Sequence, residues 1–259
     1  MILSSVFGSV HRIVFLFQII IIIIYDDFIY LGQEKCVMDI EELAEETPVF
    51  NVNQAQRATG LGREYLREKL SRMVRDGRLY RIERGKYTAQ DDPVVYATHI
   101  ETPSYISYWS GLSFFGLTPQ QPAKIQVATS RSRKDLEKIS FIKTPGMYGF
   151  RRERYRDFEI TVAEREKLLI DILSTGKVPV EETRELVEEV DIGKTVEYLE
   201  RLGSKAVSRR AGYLLEKIRG ERVEELREQD RNYPLLDLTK TDKGEKHPYW
   251  RIKVNNDAI

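Results

Sequence analysis

The sequence predicts an α+β fold in two parts, and three observations carry that expectation. Between Phe50 and Thr88 the apolar spacing reads as helix, tight turn, amphipathic helix and hairpin. From residue 93 to 220, short β-branched runs give way to segments with apolar residues at helical spacing. The chain has 259 residues, 41% of them hydrophobic, which suffices for two cores of ordinary domain size.

The 41 basic and 41 acidic residues cancel. Whole-chain charge therefore names no partner, and nucleic-acid binding has to rest on local segregation of charge. A single cysteine, Cys36, excludes an intramolecular disulfide framework and a cysteine-based zinc site, and His11, His99 and His247 are too far apart in sequence to suggest a metal centre. No cofactor is expected, and the expected compartment is reducing cytoplasm.

Residues 1–37 differ in kind from the rest, because Ile13 to Ile24 is nearly unbroken apolar sequence interrupted by Gln18. A run of about a dozen residues is short of the roughly 20 that span a bilayer as a helix. A signal peptide wants a basic start and a small-residue cleavage site, whereas Asp26, Asp27 and Phe28 follow the run. Two readings remain: translation starting at Met38, or a membrane-contacting segment at 1–37. Both place it outside the fold.

Residues 38–92 are expected to form the first unit. Asp39 to Glu46 opens as a helix with acidic residues in its first turn, and Pro48 breaks the chain after it. Asn53 is placed to cap a helix over Gln54 to Thr59, and Gly60-Leu61-Gly62 supplies a tight turn. From Arg63 to Asp76, Leu66, Leu70, Met73 and Val74 form one apolar stripe, which Gly77 ends. Leu79 to Ile82 and Lys86 to Thr88 read as strands around a Glu83-Arg84-Gly85 tip. This is the succession of a winged helix-turn-helix. Phe50 to Thr88 holds ten basic residues against four acidic, a local net charge of +6 in a neutral chain. The outer face of the second helix is mixed, with Glu64, Tyr65, Glu68, Ser71, Arg72 and Arg75, so the wing is expected to supply more of the phosphate contact.

Residues 93–220 are expected to form a mixed α/β C-terminal domain. Tyr105 to Gly116 is rich in aromatic and small residues and reads as a buried helix, core packing being preferred over base stacking by Tyr105, Tyr108 and Trp109. Lys124 to Ala128, Ser140 to Lys143 and Phe158 to Val162 read as strands. Arg131, Arg133 and Lys134, and Arg151, Arg152, Arg154 and Arg156, read as basic loops between them. Ala163 to Ser174 reads as an amphipathic helix with Leu168, Leu169, Ile172 and Leu173 inward, and further helices are expected near Val180 to Val190, Gly193 to Leu202 and Ser204 to Ile218. Residues 221–259 read as a charged linker with a last strand at Trp250 to Val254. Glu164, Glu166 and Lys167 have the residue types of a metal-dependent nuclease, but glutamates in a helix's first turn are explained by its dipole. The sequence has no Gly-rich phosphate loop, GxSxG elbow or HExxH, and no enzyme is expected.

Six blocks in order, MVRDGRLYRIERGKY, PSYISYWSGLSFFGL, IQVATSRSR, ITVAEREKLLIDIL, SKAVSRRAGYLLE and the terminal Trp250-x-Ile252-x-Val254-Asn255, resemble the AbiEi-type antitoxins of type IV toxin-antitoxin systems. The resemblance implies a winged-helix DNA-binding domain joined to a C-terminal α/β domain. It further implies a repressor of its own promoter that opposes a nucleotidyltransferase-like toxin without a stable complex. Carried onto this sequence, the DNA-reading positions are Arg63, Tyr65 and Arg67 in the second helix and Arg81, Arg84 and Lys86 in the wing. Arg72 joins them from the outward face. The competing expectation is an interaction scaffold whose basic loops bind an acidic partner without DNA recognition.

Overall fold

The computed structural model describes residues 38–256 and 258–259. The apolar segment 1–37, with its start-site and membrane alternatives, lies outside the described residues. Among those described, no helix is long and apolar enough to cross a membrane.

Helix α1 (Ile40–Glu46) begins where the Asp39 carboxylate accepts the Glu42 amide at 2.8 Å. Strand β1 (Phe50–Asn51), α2 (Val52–Thr59), α3 (Arg63–Arg75), β2 (Tyr80–Glu83) and β3 (Lys86–Thr88) follow. The cap of α2 is Asn51 and not Asn53: Asn51 Oδ1 accepts the Asn53 and Gln54 amides at 2.9 and 3.0 Å, while Gln54 Oε1 accepts the Asn51 amide at 2.8 Å. This reciprocal capping box is built from Asn and Gln, so it escapes the usual Ser/Thr-x-x-Glu pattern. Gly60, at φ 67, closes α2 in the left-handed region. Leu66, Leu70 and Met73 then bury one face of α3 against Ile40, Leu43, Phe50 and Tyr87. The two-residue β1, too short to show a period, pairs with β3 and completes a sheet of order β1-β3-β2.

After α4 (Pro93–Ala97), a five-stranded sheet of order β6-β5-β4-β8-β7 forms from β4 (Ser104–Ile106), β5 (Ile125–Thr129), β6 (Ile139–Lys143), β7 (Phe150–Tyr155) and β8 (Phe158–Ala163). Its β5–β6 and β4–β8 pairs are parallel; β4–β5 and β7–β8 are antiparallel. Alternation divides its residues between two faces. Tyr105, Ala128, Ile142 and Ala163 enter the main core, while Ile106, Val127, Phe141 and Val162 serve smaller clusters on the other side. Two expectations change here. The aromatic segment is a strand, β4, and a separate helix, α5 (Tyr108–Phe114). Residues 150–155, read as a basic loop, form edge strand β7, whose exposed Arg152 and Arg154 suit a strand that must not recruit another chain.

Helix α6 (Arg165–Thr175) differs from its expected amphipathic form, because every residue from Glu166 to Leu173 is buried. Lys167 and Asp171, both 0% exposed, pair one turn apart. The Asp171 carboxylate also accepts Thr144 Oγ1 at 2.6 Å, Ser107 Oγ at 2.9 Å and Tyr105 Oη at 3.0 Å. Four donors fill a buried carboxylate's acceptor capacity, the condition under which a buried charge is tolerated. The Lys167 ammonium lies 5.2 Å from the centroid of the Tyr148 ring and 5.6 Å from that of Tyr105. Beside this hub, Tyr108 has φ 58, and its buried hydroxyl has no hydrogen-bond partner among the described residues.

A 3-10 turn (Val180–Thr183), α7 (Arg184–Glu189), α8 (Ile192–Leu202) and α9 (Lys205–Leu214) complete the helical layer. The stretch after residue 220, read as a charged linker and last strand, packs into the fold: Val223, Leu226, Leu236, Trp250 and Ile252 join the main core, and the last strand spans Ile252–Val254. Trp250 lies against Gly212, where an added Cβ would stand 2.2 Å from the indole. The buried Arg210 ties the segment down by donating to the Leu235 and Leu173 carbonyls at 2.6 and 3.0 Å.

Asp171→Ala is expected to cost roughly 3–5 kcal/mol in urea unfolding, because it strands a buried ammonium. A loss under about 1 kcal/mol would show the pair to be dispensable. Tyr108→Phe removes only the orphan hydroxyl and is expected to be neutral or stabilising by about 1 kcal/mol. A lowered Tm in that variant would reveal a partner for the hydroxyl.

Candidate nucleic-acid interface

The turn at Gly60 to Gly62 lays α3 across α2, and the hairpin β2–β3 stands beside the N-terminal half of α3. Between them opens a cleft of about 610 Å³ lined by Asn51, Asn53, Arg63, Arg67, Arg81 and Arg84, with Tyr87 at its base. Arg63 and Arg67, four residues apart, project from one flank of α3. Arg81 and Arg84 face them from the hairpin. All four side chains are exposed, and none has a carboxylate within 4 Å among the described residues. The neighbouring cations differ: Lys69 and Arg78 pair with Glu41, and Lys86 pairs with Glu83 at 3.0 Å. The cleft is thus a concentration of unneutralised guanidinium groups with free donors, the donor set that suits a phosphodiester chain.

The residues expected to read DNA fall into three places. Arg63, Arg67, Arg81 and Arg84 meet in the cleft. Tyr65 and Arg72 occupy the other flank of α3, where Tyr65 is 58% exposed. Lys86 is turned away from both, its ammonium donating to the Ile100 carbonyl at 2.5 Å. The cause is an irregularity in the β2–β3 register between Arg81 and Glu83, where the extra residue Ile82 reverses the alternation. Arg81 consequently opens on the cleft, while Glu83 and its cross-strand partner Lys86 face the five-stranded sheet. Asn51 and Asn53 were missed as cleft-lining residues. The sequence offers Asn53 only as a helix cap and gives Asn51 no role.

Among the described residues no group of three or more His, Cys, Asp or Glu side chains could hold a metal ion. Each member of the nuclease-like trio is engaged within the chain: Lys167 is committed to Asp171, Glu166 accepts the Asp191 amide at 3.0 Å, and Glu164 and Glu166 both pair with Lys194, at 3.0 and 3.7 Å. Burial raises Glu164, but Tyr198, Lys194 and Arg151 outweigh it and hold the carboxyl below its ordinary value.

Glu83 is governed in the same way. Burial raises its carboxyl, while Lys86 and Arg133 outweigh that and hold it low. A carboxyl lowered in the folded state contributes stability above its unfolded pKa, and this is lost as pH falls through the folded value. Acidification from pH 5 to 3 is therefore expected to lower the Tm less in Glu83→Gln than in the parent, and equal slopes would show that Glu83 titrates as in the unfolded chain.

Residues 38–90 match the family model described as "Transcriptional regulator, AbiEi antitoxin". No curated protein matches the chain. Among solved structures, the crystal structure of the RV2827C protein from Mycobacterium tuberculosis is similar, with a TM-score of 0.58 at 14% identity, over 81% of this chain and 87% of that one. At that identity the likeness shows a shared mixed α and β fold and nothing of function. The segment that carries the arginine-lined cleft, residues 38–90, is thus the part of the chain that matches the AbiEi antitoxin family of transcriptional regulators.

Proposed function

We propose that the chain is a DNA-binding transcriptional regulator in which residues 38–92 act as a winged helix-turn-helix, with α3 in the major groove and the β2–β3 hairpin as the wing. One observation carries this reading: Arg63, Arg67, Arg81 and Arg84 converge on a single cleft with no carboxylate within salt-bridge distance among the described residues. Such a cluster costs self-repulsion in the free protein and is neutralised when phosphates replace counterions. Tyr65 and Arg72, on the far flank, lie where base edges or the opposite strand would pass. The family match supports the same role. We infer further that the DNA is the protein's own promoter, and that the chain acts in the cytoplasm as the antitoxin of a type IV system. In that system it opposes a nucleotidyltransferase-like toxin without a stable complex.

Four of the seven basic residues that the scaffold reading would place on an acidic partner protein have carboxylate partners within the chain. Arg133 pairs with Glu83 and Glu101, Arg151 with Glu153, Arg152 with Glu159 and Arg156 with Asp92. This favours DNA over the scaffold reading.

Binding to a duplex carrying the upstream region is expected to fall linearly in log K against log salt. Each of Arg63→Ala, Arg67→Ala, Arg81→Ala and Arg84→Ala should reduce the slope by about 0.9. Lys86→Ala should leave it unchanged, since that ammonium is occupied elsewhere. Parental slopes in all four arginine variants would rule the cleft out as the phosphate site.

A further inference from the structure

We propose that Arg133, on the loop between β5 and β6, is a positioning residue that holds the wing in its DNA-binding orientation without touching DNA. The proposal rests on the DNA-binding reading above. The Arg133 guanidinium bridges two carboxylates from different parts of the chain: Glu83 in the wing, and Glu101 before β4, the latter at 2.7 Å. Its plane lies over the Phe141 ring, 4.6 Å from the centroid, and the side chain is only 19% exposed. Lys86 adds a second tie, to Glu83 at 3.0 Å and to the Ile100 carbonyl at 2.5 Å. Beneath the charges, Val49 and Ile82 pack with Ile100, Val127 and Phe141 in one apolar cluster.

The consequence follows from register. Glu83 and Lys86 bracket Arg84, the residue at the wing tip that faces the cleft. Anchoring both sides of a hairpin tip fixes the backbone from which Arg84 projects, so less ordering entropy is lost when phosphate binds. A lysine at position 133 keeps the charge but offers one nitrogen in place of two, so it cannot give Glu83 and Glu101 separate nitrogens as the guanidinium does. The carboxylates that satisfy Arg133 are the chain's own, Glu83 in the wing and Glu101 beside β4.

The test compares Arg133→Ala, Arg133→Lys and Arg84→Ala in the full chain, by titration of the upstream duplex at several salt concentrations and by amide hydrogen exchange of residues 80–88 without DNA. Arg133→Ala should weaken binding roughly tenfold with the parental salt slope, and its wing amides should exchange faster while global unfolding stays cooperative. Arg133→Lys should be intermediate in both. Arg84→Ala should lower the slope by about 0.9 with parental exchange. A slope lowered by about that amount in Arg133→Ala would mean that Arg133 itself meets phosphate, and unchanged wing exchange would mean that it does not hold the hairpin; either overturns the proposal. If the parent shows no salt-dependent binding, the DNA reading fails, and the exchange data alone decide whether Arg133 anchors the wing.

Discussion

A carboxylate sealed from water must find all of its partners inside the protein, and around Asp171 that requirement organises the larger part of the chain. Its donors come from β4, from the residue following β4, from the residue following β6 and from its own helix. Together they set both the rotation and the height of α6 against the sheet. The other helices take their places from α6, which contacts α5, α7, α8 and α9. A close approach is at Gly111 on α5, where an added Cβ would lie 2.7 Å from Leu168. With α9 placed, Arg210 and Gly212 receive the C-terminal segment.

The two parts of the molecule treat positive charge in opposite ways. Around the five-stranded sheet, Arg133, Arg151, Arg152 and Arg156 close on the chain's own carboxylates. On α3 and the hairpin, four stand open around one cleft. An open guanidinium gains little from the folded state, and four together repel, a distribution that suits the polyanionic partner proposed above. Where the parts meet, the treatments join: Glu83 faces the anchored side and Arg84 the open side, one residue apart. The bulge at Ile82 makes that division possible. Glu64 and Glu68, exposed on the outer face of α3, keep that face from being a uniform phosphate grip.

Much of this was legible in order and type. The stripe Leu66, Leu70, Met73 and the punctuation at Gly60 and Gly77 were readable because helix periodicity and left-handed glycine are local effects. The four cleft arginines were readable as residues, and the local excess of charge as a number. Three things were hidden. The edge strand β7 was masked by its arginines, because an edge strand tolerates charges that mimic a loop. Lys167 and Asp171 looked like the wet side of an amphipathic helix, since a sequence does not show whether a charged pair meets water or each other. Lys86 looked like one more wing cation, and only the register irregularity turns it inward.

Taken alone, the sequence determined the α+β succession, the phase of the second helix and the segregation of positive charge into Phe50 to Thr88. Each follows from short-range periodicity and from counting. Tertiary structure decided which of those charges remain available. Availability depends on residues distant in the chain: Glu101, Ile100 and Phe141 meet Arg133 and Lys86 only once the sheet and the hairpin are built. A cation's function is set by whether an anion of its own chain reaches it first, and that is a property of the fold.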